Sequence, residues 1–244
     1  GNDLYYRYIT PGASSFSTAS AVEITSAEQK HAGQSSIGGP AGKGVLLGTQ
    51  AQDDNDYLRY ITLHKPTTFT NSVSYGSEGT VPAPGTGITW GSQPVRMGFD
   101  NVANKIVIAA ANTSNKTFMM AGTVTGGTTN TIAFGDGVNP LTNDQAQDAK
   151  YGKVWGLRMN PDVGRLMGVG QEDSANPDKF FVFTCSFSGN NVTAVNRTER
   201  TSQSTNGFYT GQWNIEYDTE FNRMMWGSRV STADSSDTIG EHFV

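Results

Sequence analysis

Cysteine and charge are both scarce in this chain of 244 residues. It has a single cysteine, Cys185, and only 16% of its residues are charged, against about a quarter in a typical globular domain. One cysteine cannot form an internal disulfide, so packing and hydrogen bonds must hold the fold together. Because Cys185 lies in an apolar segment, we expect it to be a small buried thiol.

Basic clusters and long apolar runs are also missing. The formal net charge is −5 and no run of lysine and arginine occurs, which argues against a nucleic-acid partner. No apolar run approaches the roughly 18 residues of a membrane span, and no signal-peptide pattern is visible. We therefore expect neither nucleic acid nor membrane as a partner. The 29 glycines and the many Thr, Ser and Asn residues favour an all-β chain.

A unit of about 60 residues recurs along the chain. A basic residue opens a short apolar run in every copy, and the intervals between these residues are 62, 60 and 58. In the last three copies Asp or Asn stands five positions earlier, and Asn or Gly directly precedes the basic residue. The four basic residues are Lys43, Lys105, Arg165 and Arg223. A fixed period indicates one supersecondary unit copied along the chain.

Each copy has the pattern of short strands separated by turns. The segments 100–104, 160–164 and 218–222 are typical of tight hairpins, because Asn and Asp tolerate left-handed backbone and bond their own main chain. The strands that follow are nearly continuous apolar runs, which predicts burial on both faces. Residues 87–91 have no secure place, since they compete with 72–75 for a fourth strand. The predicted strands are 4–10, 21–25, 43–50, 57–64, 72–75, 95–99, 105–111, 117–124, 131–134, 154–159, 165–170, 179–187, 192–195, 213–217, 223–229 and 238–244.

Repeats of four antiparallel strands favour an all-β fold, a β-propeller-like array of four or more blades, over tandem β-sandwich modules. One blade is too small to bury its own faces, whereas neighbours stacked around an axis bury both. We predict a single domain over residues 1–244, which begins at Gly1 and ends at Val244 within a repeat, so we expect a segment of a longer polypeptide. Its parts are a partial blade 1–27, blades at about 28–78, 79–137 and 138–198, and a partial blade 199–244.

The stretch from Gly122 to Gly135, Gly-Thr-Val-Thr-Gly-Gly-Thr-Thr-Asn-Thr-Ile-Ala-Phe-Gly, resembles a repeat of predicted structural proteins of marine bacteriophages, cyanophages especially. In that family such a strand pair precedes a hairpin, and residues 99–112, 159–170 and 217–226 are similar to that hairpin. The resemblance is weakest before residue 80. The chain departs from the family pattern in long connections at 136–153 and 196–212.

The resemblance implies a virion part such as a tail fibre, a host-attachment protein or a capsid-surface appendage. Its motifs specify a blade and not an activity. On this basis we expect a non-enzymatic structural protein at the virion surface, serving host attachment or particle assembly. The partners expected are other virion proteins, further copies of the chain and a host-surface glycan. A carbohydrate-binding propeller lectin and a glycan hydrolase remain the alternatives.

Catalytic chemistry has little support in the sequence. The three histidines, His31, His64 and His242, lack ligand spacing. A glycosidase needs two converging carboxyl groups, but Asp100 and Asp218 occupy the repeated turn and are expected to be architectural. The remaining carboxylates that could reach a channel are Glu23, Glu216 and Glu241. We expect no catalytic residue and no cofactor.

Two groups of side chains remain as candidate contacts. Asp53, Asp54 and Asp56 cluster hard oxygen ligands that suit Ca²⁺, although the spacing and glycine of a recognised calcium loop are missing. Acidic residues in the same loop of later copies predict a solvated rim or a partner contact: Glu172, Asp173, Asp178, Asp234 and Asp237. Four tryptophans could stack on a glycan or pack between blades: Trp90, Trp155, Trp213 and Trp226.

Overall fold

The computed structural model describes part of the chain, and these residues form strands and turns with no helix. The all-β prediction is therefore confirmed for this part. The backbone is described for residues 5–6, 9–11, 16–18, 22–23, 36–38, 43–50, 57–64, 74–75, 79–85, 90–112, 116–125, 131–140, 152–172, 179–201, 214–229 and 240–243. Side chains are described for 58, 60, 62, 79–85, 90, 95–112, 116–125, 131–140, 154, 156–170, 180–198 and 215–225.

The strands follow one another with turns at short intervals. Their bounds are β1 (Tyr5–Tyr6), β2 (Ile9–Pro11), β3 (Phe16–Thr18), β4 (Val22–Glu23), β5 (Ser36–Gly38), β6 (Lys43–Gln50), β7 (Tyr57–His64), β8 (Ser74–Tyr75), β9 (Gly79–Thr80), β10 (Trp90–Asp100), β11 (Lys105–Asn112), β12 (Thr117–Val124), β13 (Ile132–Phe134), β14 (Gly152–Asn160), β15 (Arg165–Glu172), β16 (Lys179–Ser188), β17 (Asn191–Thr201), β18 (Asn214–Asp218), β19 (Arg223–Arg229) and β20 (Gly240–Phe243).

Antiparallel pairing joins these strands into successive sheets in chain order. The sheets β10-β11-β12-β13 and β14-β15-β16-β17 each have four strands. The sheet before them has the order β5-β6-β7-β8, with β9 also paired to β7, and the sheet after them is β18-β19-β20. Nearer the N-terminus, β1 pairs with β4 and β2 with β3. The predicted four-stranded antiparallel unit is confirmed, while no closed ring of sheets is found among the described residues.

Several strands begin and end where the sequence pattern places them. The bounds of β6, β7, β12 and β19 are the predicted ones, and those of β11 differ by one residue. In β6, β11, β12 and β19 a polar or basic residue opens an apolar run, and the sequence after each is polar. These boundaries depend on local turn chemistry, which sequence reasoning captures well.

The boundary between the sheet that contains β5–β9 and the sheet β10–β13 differs from the prediction. β8 and β9 both pair with β7, so residues 79–80 belong to the earlier sheet and not to the blade predicted to begin at 79. The unplaced segment 87–91 ends in β10, where Trp90 pairs with Asn112 before a register shift. There is thus no competition for a fourth strand, because the described residues of the two segments, 74–75 and 90–91, lie in different sheets.

A bulge explains why β17 is longer than predicted. The register shifts between Val182 and Thr184 of the partner strand β16, and Asn196 takes a φ of 50° there. The Asn196 amide donates to Thr184 Oγ1 at 3.3 Å. The bulge absorbs one extra residue and pairing resumes beyond it, so the predicted connection beginning at 196 was wrong. β15 likewise continues to Glu172, which was expected in a loop.

The sheet β10–β13 is buried on both faces, as its apolar run predicts. Ile106 and Ile108 of β11 pack with Leu58 and Tyr60 of the preceding sheet. Val107, between them, points to the opposite face and packs in a second cluster with residues of the following sheet such as Leu166 and Phe181. Alternate residues of a strand face opposite sides, so a strand with two apolar faces requires a neighbouring sheet on each side.

Successive sheets stack through their first strands, β10 on β14 and β14 on β18. Glycines make room at these contacts. A side chain at Gly98 would meet Leu157 of the next sheet, and one at Gly156 would meet Ile215 of the sheet after that. Leu157 and Ile215 each stand three residues before a turn residue of the repeat, Asn160 and Asp218. The same position in two copies therefore fills space beside a glycine of the preceding sheet, although Gly98 stands two residues before its turn residue and Gly156 four.

Cys185 is buried in the cluster between the two four-stranded sheets, where it is 1% exposed. The prediction of a buried thiol is confirmed. Loss of solvation raises the pKa of this thiol, and the negative charge of Asp100 adds to the effect. Only the thiolate reacts readily with disulfide reagents.

We therefore predict that Cys185 does not react with an aromatic disulfide reagent in the native protein at neutral pH. The reaction should go to completion in denaturant, because unfolding restores an ordinary thiol pKa. Absorbance of the released thiol measures both states, and Cys185→Ser supplies the blank. Rapid labelling of the native protein would contradict burial at this sheet interface.

Candidate functional site: the repeated hairpin tips

One hairpin occurs three times at the same place in successive sheets. It joins β10 to β11, β14 to β15 and β18 to β19 through four-residue loops, 101–104, 161–164 and 219–222. We call these three loops the hairpin ridge. The closing pairs are Asp100 with Lys105, Asn160 with Arg165, and Asp218 with Arg223. The repeat signature in the sequence is thus the sequence of this hairpin.

The first residue of each signature caps its own turn. Asp100 Oδ1 accepts hydrogen bonds from the backbone N–H groups of Val102 (3.1 Å) and Ala103 (2.8 Å). Oδ1 of Asn160 and Oδ1 of Asp218 accept the two corresponding N–H groups of their own loops. Side-chain oxygens of Asx residues commonly bond the main chain two or three residues on. These side chains therefore have a turn-forming role.

The residue before the basic position has left-handed backbone in each copy. The φ values are 54° at Asn104, 60° at Gly164 and 54° at Asn222. Glycine adopts this conformation without a Cβ penalty, and asparagine tolerates it better than other side chains do. This requirement explains why Asn or Gly occupies the position in all three loops.

Asp100 also joins two sheets. It is 1% exposed, and its second oxygen, Oδ2, accepts a hydrogen bond of 3.0 Å from the backbone N–H of Leu166 in the next sheet. An amide has only one acceptor oxygen. At the equivalent position Asn160 accordingly uses its oxygen for the turn, while its Nδ2 lies 3.5 Å from Met167 Sδ of its own sheet. The carboxylate of Asp100 is thus both a turn cap and a link between sheets.

A second polar link crosses the same interface near Lys105. Its Nζ donates to Thr123 Oγ1 at 2.5 Å and to Asn190 Oδ1 at 2.6 Å, and Asn190 belongs to the β16–β17 turn of the next sheet. Gly189 in that turn has a φ of 59°, as the first central residue of a type II′ hairpin requires. The backbone N–H of Asp136 donates to Asn191 Oδ1 at 2.9 Å. Lys105 therefore holds the neighbouring turn in place.

The hairpin ridge exposes one large apolar side chain per loop. Val102 is 71% exposed, Val163 57% and Phe221 59%. The loops are neighbours, because a Cβ at Gly164 would lie 3.4 Å from Val102 Cγ2 and Asp162 bonds Tyr217 beside the third loop. Val163 and Phe221 stand at the same position, three residues after the capping Asx, whereas Val102 stands two residues after Asp100. Sequence reasoning missed these three residues, although the shared position of Val163 and Phe221 in the repeat was visible.

The third loop is the most polar part of the ridge. A hydrogen bond from the Tyr217 phenol to Asp162 raises the pKa of Tyr217 to about 12, with smaller contributions from partial desolvation and from the charges of Asp162 and Asp218. The Arg223 guanidinium carbon lies 4.5 Å from the centre of the Phe221 ring. Arg158 and Glu216 form an ion pair of 2.9 Å between half-exposed side chains, which contributes little to stability.

Of the candidate calcium, rim and glycan-stacking residues, Trp90 has a described side chain. Trp90 is 3% exposed, and its indole N–H donates to the Pro82 carbonyl at 2.7 Å. It packs in the core, so sugar stacking at Trp90 is corrected to a packing role. The other candidates have no described side chain: Asp53, Asp54, Asp56, Trp155, Glu172, Asp173, Asp178, Trp213, Trp226, Asp234 and Asp237.

Within the described residues, no three His, Cys, Asp or Glu side chains come together as metal ligands would. The same part of the chain contains no helix long and apolar enough to span a membrane. Glu23 and Glu241 lie in strands whose side chains are outside the described set.

Comparison of the chain with protein-family models, curated proteins and solved structures found no match.

Because Asp100 both caps its turn and links two sheets, an Asp→Asn substitution should lower the free energy of unfolding more at Asp100 than at the equivalent Asp218. Asp100→Asn removes an acceptor and leaves either a turn N–H or the buried Leu166 N–H without a partner, which should lower the free energy of unfolding by about 1–3 kcal/mol. Asp218→Asn keeps the single oxygen that its turn uses, so its effect should stay within about 0.5 kcal/mol. Urea unfolding of both variants measures the difference. Equal losses would show that the link to Leu166 has no energetic role.

The hydrogen bond to Asp162 predicts a late-titrating tyrosine. Because the folded-state pKa of Tyr217 exceeds the usual value of about 10, its stabilising effect is present below about pH 10 and disappears as pH rises through 12. The difference in absorbance at the phenolate band between the parent and Tyr217→Phe should therefore grow only near pH 12. A difference complete near pH 10 would contradict the bond, and Asp162→Asn should shift the transition to lower pH.

Proposed function

We propose that this chain is a non-enzymatic structural protein of a bacteriophage virion, displayed on a tail fibre or on the capsid surface for host attachment or particle assembly. One observation carries the proposal. The hairpin that resembles the marine-phage repeat is built three times, its Asx side chains are occupied by their own turns, and each tip exposes an apolar side chain. Repetition of a contact element suits assembly and multivalent attachment better than a single catalytic centre.

The finer architecture is part of the proposal. We infer that the stacked sheets continue around an axis as a β-propeller of four or more blades, with the first strands innermost. Support comes from the contacts of β10 with β14 and of β14 with β18, and from two-faced burial of the sheet β10–β13. In such an arrangement equivalent hairpins emerge at one end. The hairpin ridge would then be one continuous contact surface of the particle.

Other virion subunits and further copies of this chain are the partners that fit this role. Oligomers in particles are usually symmetric, so each copy offers the same surface. A contact made by a few exposed side chains is modest in affinity. Many copies on one particle raise the overall avidity by roughly 10²–10⁴-fold when geometry lets them bind together.

The direct test is the composition of purified particles from the source of the sequence. We expect mass spectrometry to find the chain in density-purified virions at many copies per particle, and immunogold to label the tail or the shell. A non-structural replication protein from the same lysate is the control and should be lost on purification. Recovery of the chain only in the soluble fraction would contradict the proposal, as would steady release of reducing sugar from polysaccharide.

A carbohydrate-binding role is the second candidate, and one observation favours it. Phe221 presents an aromatic ring at an exposed hairpin tip, with polar side chains around it. Such a role is compatible with a virion protein when the glycan belongs to the host surface.

A further inference from the structure

Phe221 differs from the other exposed apolar residues of the hairpin ridge. Among the described residues the large apolar side chains exposed to solvent are Val102, Val163 and Phe221, and only the last is aromatic. The loops that carry them share the same cap and a left-handed residue at the same position. The position of Phe221 holds Ala103 in the first loop and Val163 in the second, so the ring is an addition to a hairpin that folds without it.

The local contacts hold this ring in a defined position. Asp218 Oδ1 accepts the backbone N–H of Phe221 at 3.3 Å, which fixes the loop at this residue. The Arg223 guanidinium carbon lies 4.5 Å from the ring centre, on one face of the ring. A cation at this distance is attracted to the ring. The side chain is 59% exposed, so Arg223 leaves much of the ring surface accessible to solvent.

Polar groups surround the ring on two loops. Glu220 and Asn222, its neighbours in the chain, are both exposed. Tyr217 bonds the Asp162 carboxylate of the adjacent loop, and its Oη lies 3.4 Å from Asn222 Oδ1. Carboxylate, amide and phenol groups can accept and donate hydrogen bonds to hydroxyl groups. The tip thus combines one flat apolar surface with hydrogen-bonding groups beside it.

We propose that the Phe221 tip binds a pyranose sugar, with the C–H face of the sugar on the accessible surface of the ring and its hydroxyl groups on Asn222, Glu220 and the Tyr217–Asp162 pair. The inference rests on the proposed attachment function and names the chemical class of the receptor. A pyranose has an apolar face and a polar edge, which is the combination the tip offers. Ligand sites typically join aromatic surface to a few placed polar groups.

A protein partner fits this tip less well. The core of a protein interface is a continuous apolar patch depleted in charged side chains. Here each loop exposes a single large apolar side chain, and the chain neighbour of Phe221 is the exposed, charged Glu220. Binding of one sugar at such an open site is weak. Display of many copies would make it effective on a glycan-covered surface.

The test uses the whole chain, fluorescently labelled, on an array of immobilised pyranosides ending in glucose, galactose, mannose and N-acetylhexosamines. We expect binding to at least one terminal sugar, and saturation-transfer NMR with its methyl glycoside should show contact through ring C–H protons. Phe221→Val should weaken binding at least about tenfold. Phe221→Tyr should keep it, because an aromatic face remains.

Phe221→Val has the side chain that Val163 supplies at the same position of the second loop, so it should fold; Cys185 protection from disulfide reagents checks this. Val102→Ala is the control at the exposed apolar side chain of the first loop and should leave binding unchanged. Equal binding by Phe221→Val, or no binding to any pyranoside, would overturn the inference. A change in oligomeric state with Phe221→Val and no change in sugar binding would also overturn it, in favour of a protein contact.

The outcome can be separated from that of the proposed function. Particles that contain the chain but show no Phe221-dependent sugar binding would leave the virion role intact and remove the glycan site. Phe221-dependent binding by a chain that is missing from purified particles would indicate a lectin outside the virion. The result of the sugar-binding experiment therefore does not determine the result of the particle experiment, and the reverse also holds.

Discussion

Burial of both faces of the two four-stranded sheets is the constraint on which the structure depends. Along β11 alternate side chains go to opposite sides, Ile106 and Ile108 to one cluster and Val107 to the other. Each fully buried side chain of this size contributes about 1.5–3 kcal/mol, whereas a turn hydrogen bond contributes about 1 kcal/mol. Packing between sheets therefore dominates stability, and a sheet of this kind cannot stand without neighbours.

Hydrogen bonds between neighbouring sheets then fix the position of one sheet against the next. The Asp100 carboxylate reaches the Leu166 N–H of the next sheet, and Lys105 reaches Asn190. Asp100 and Lys105 both belong to the hairpin signature, so residues that form or close the turn also set its relation to the neighbouring sheet. Gly98 and Gly156 leave space for Leu157 and Ile215. The repeat is thus a unit of both folding and stacking, and this supports assembly by repetition.

Much of this fold could be predicted from the sequence, because its signals are local. Asp100, Asn104 and Lys105 define a hairpin through backbone preferences of single residues, and the apolar run after Lys105 predicts two-faced burial. The bulge at Asn196 and the pairing of residues 79–80 with β7 could not be predicted in this way. They depend on the register of pairing between strands, which residue types alone do not determine.

The candidate site was less predictable than the fold. The tryptophans were weighed for glycan stacking or for packing between blades; Trp90 is in the core, whereas the exposed aromatic residue Phe221 was not considered. Residue type indicates what a ring can bind, while exposure depends on its place in the hairpin. The available signal was positional: Val163 and Phe221 each stand three residues after the capping Asx, inside a turn, where no sheet can cover them.

The most direct measurement of the central claim is a cryo-EM map of the chain in its assembled form, at side-chain detail. Our account predicts sheets stacked face to face around an axis, with β10, β14 and β18 innermost and all three tips of the hairpin ridge at one exposed end. Sheets joined edge to edge, or a sandwich in which Val107 or Ile108 faces solvent, would contradict it.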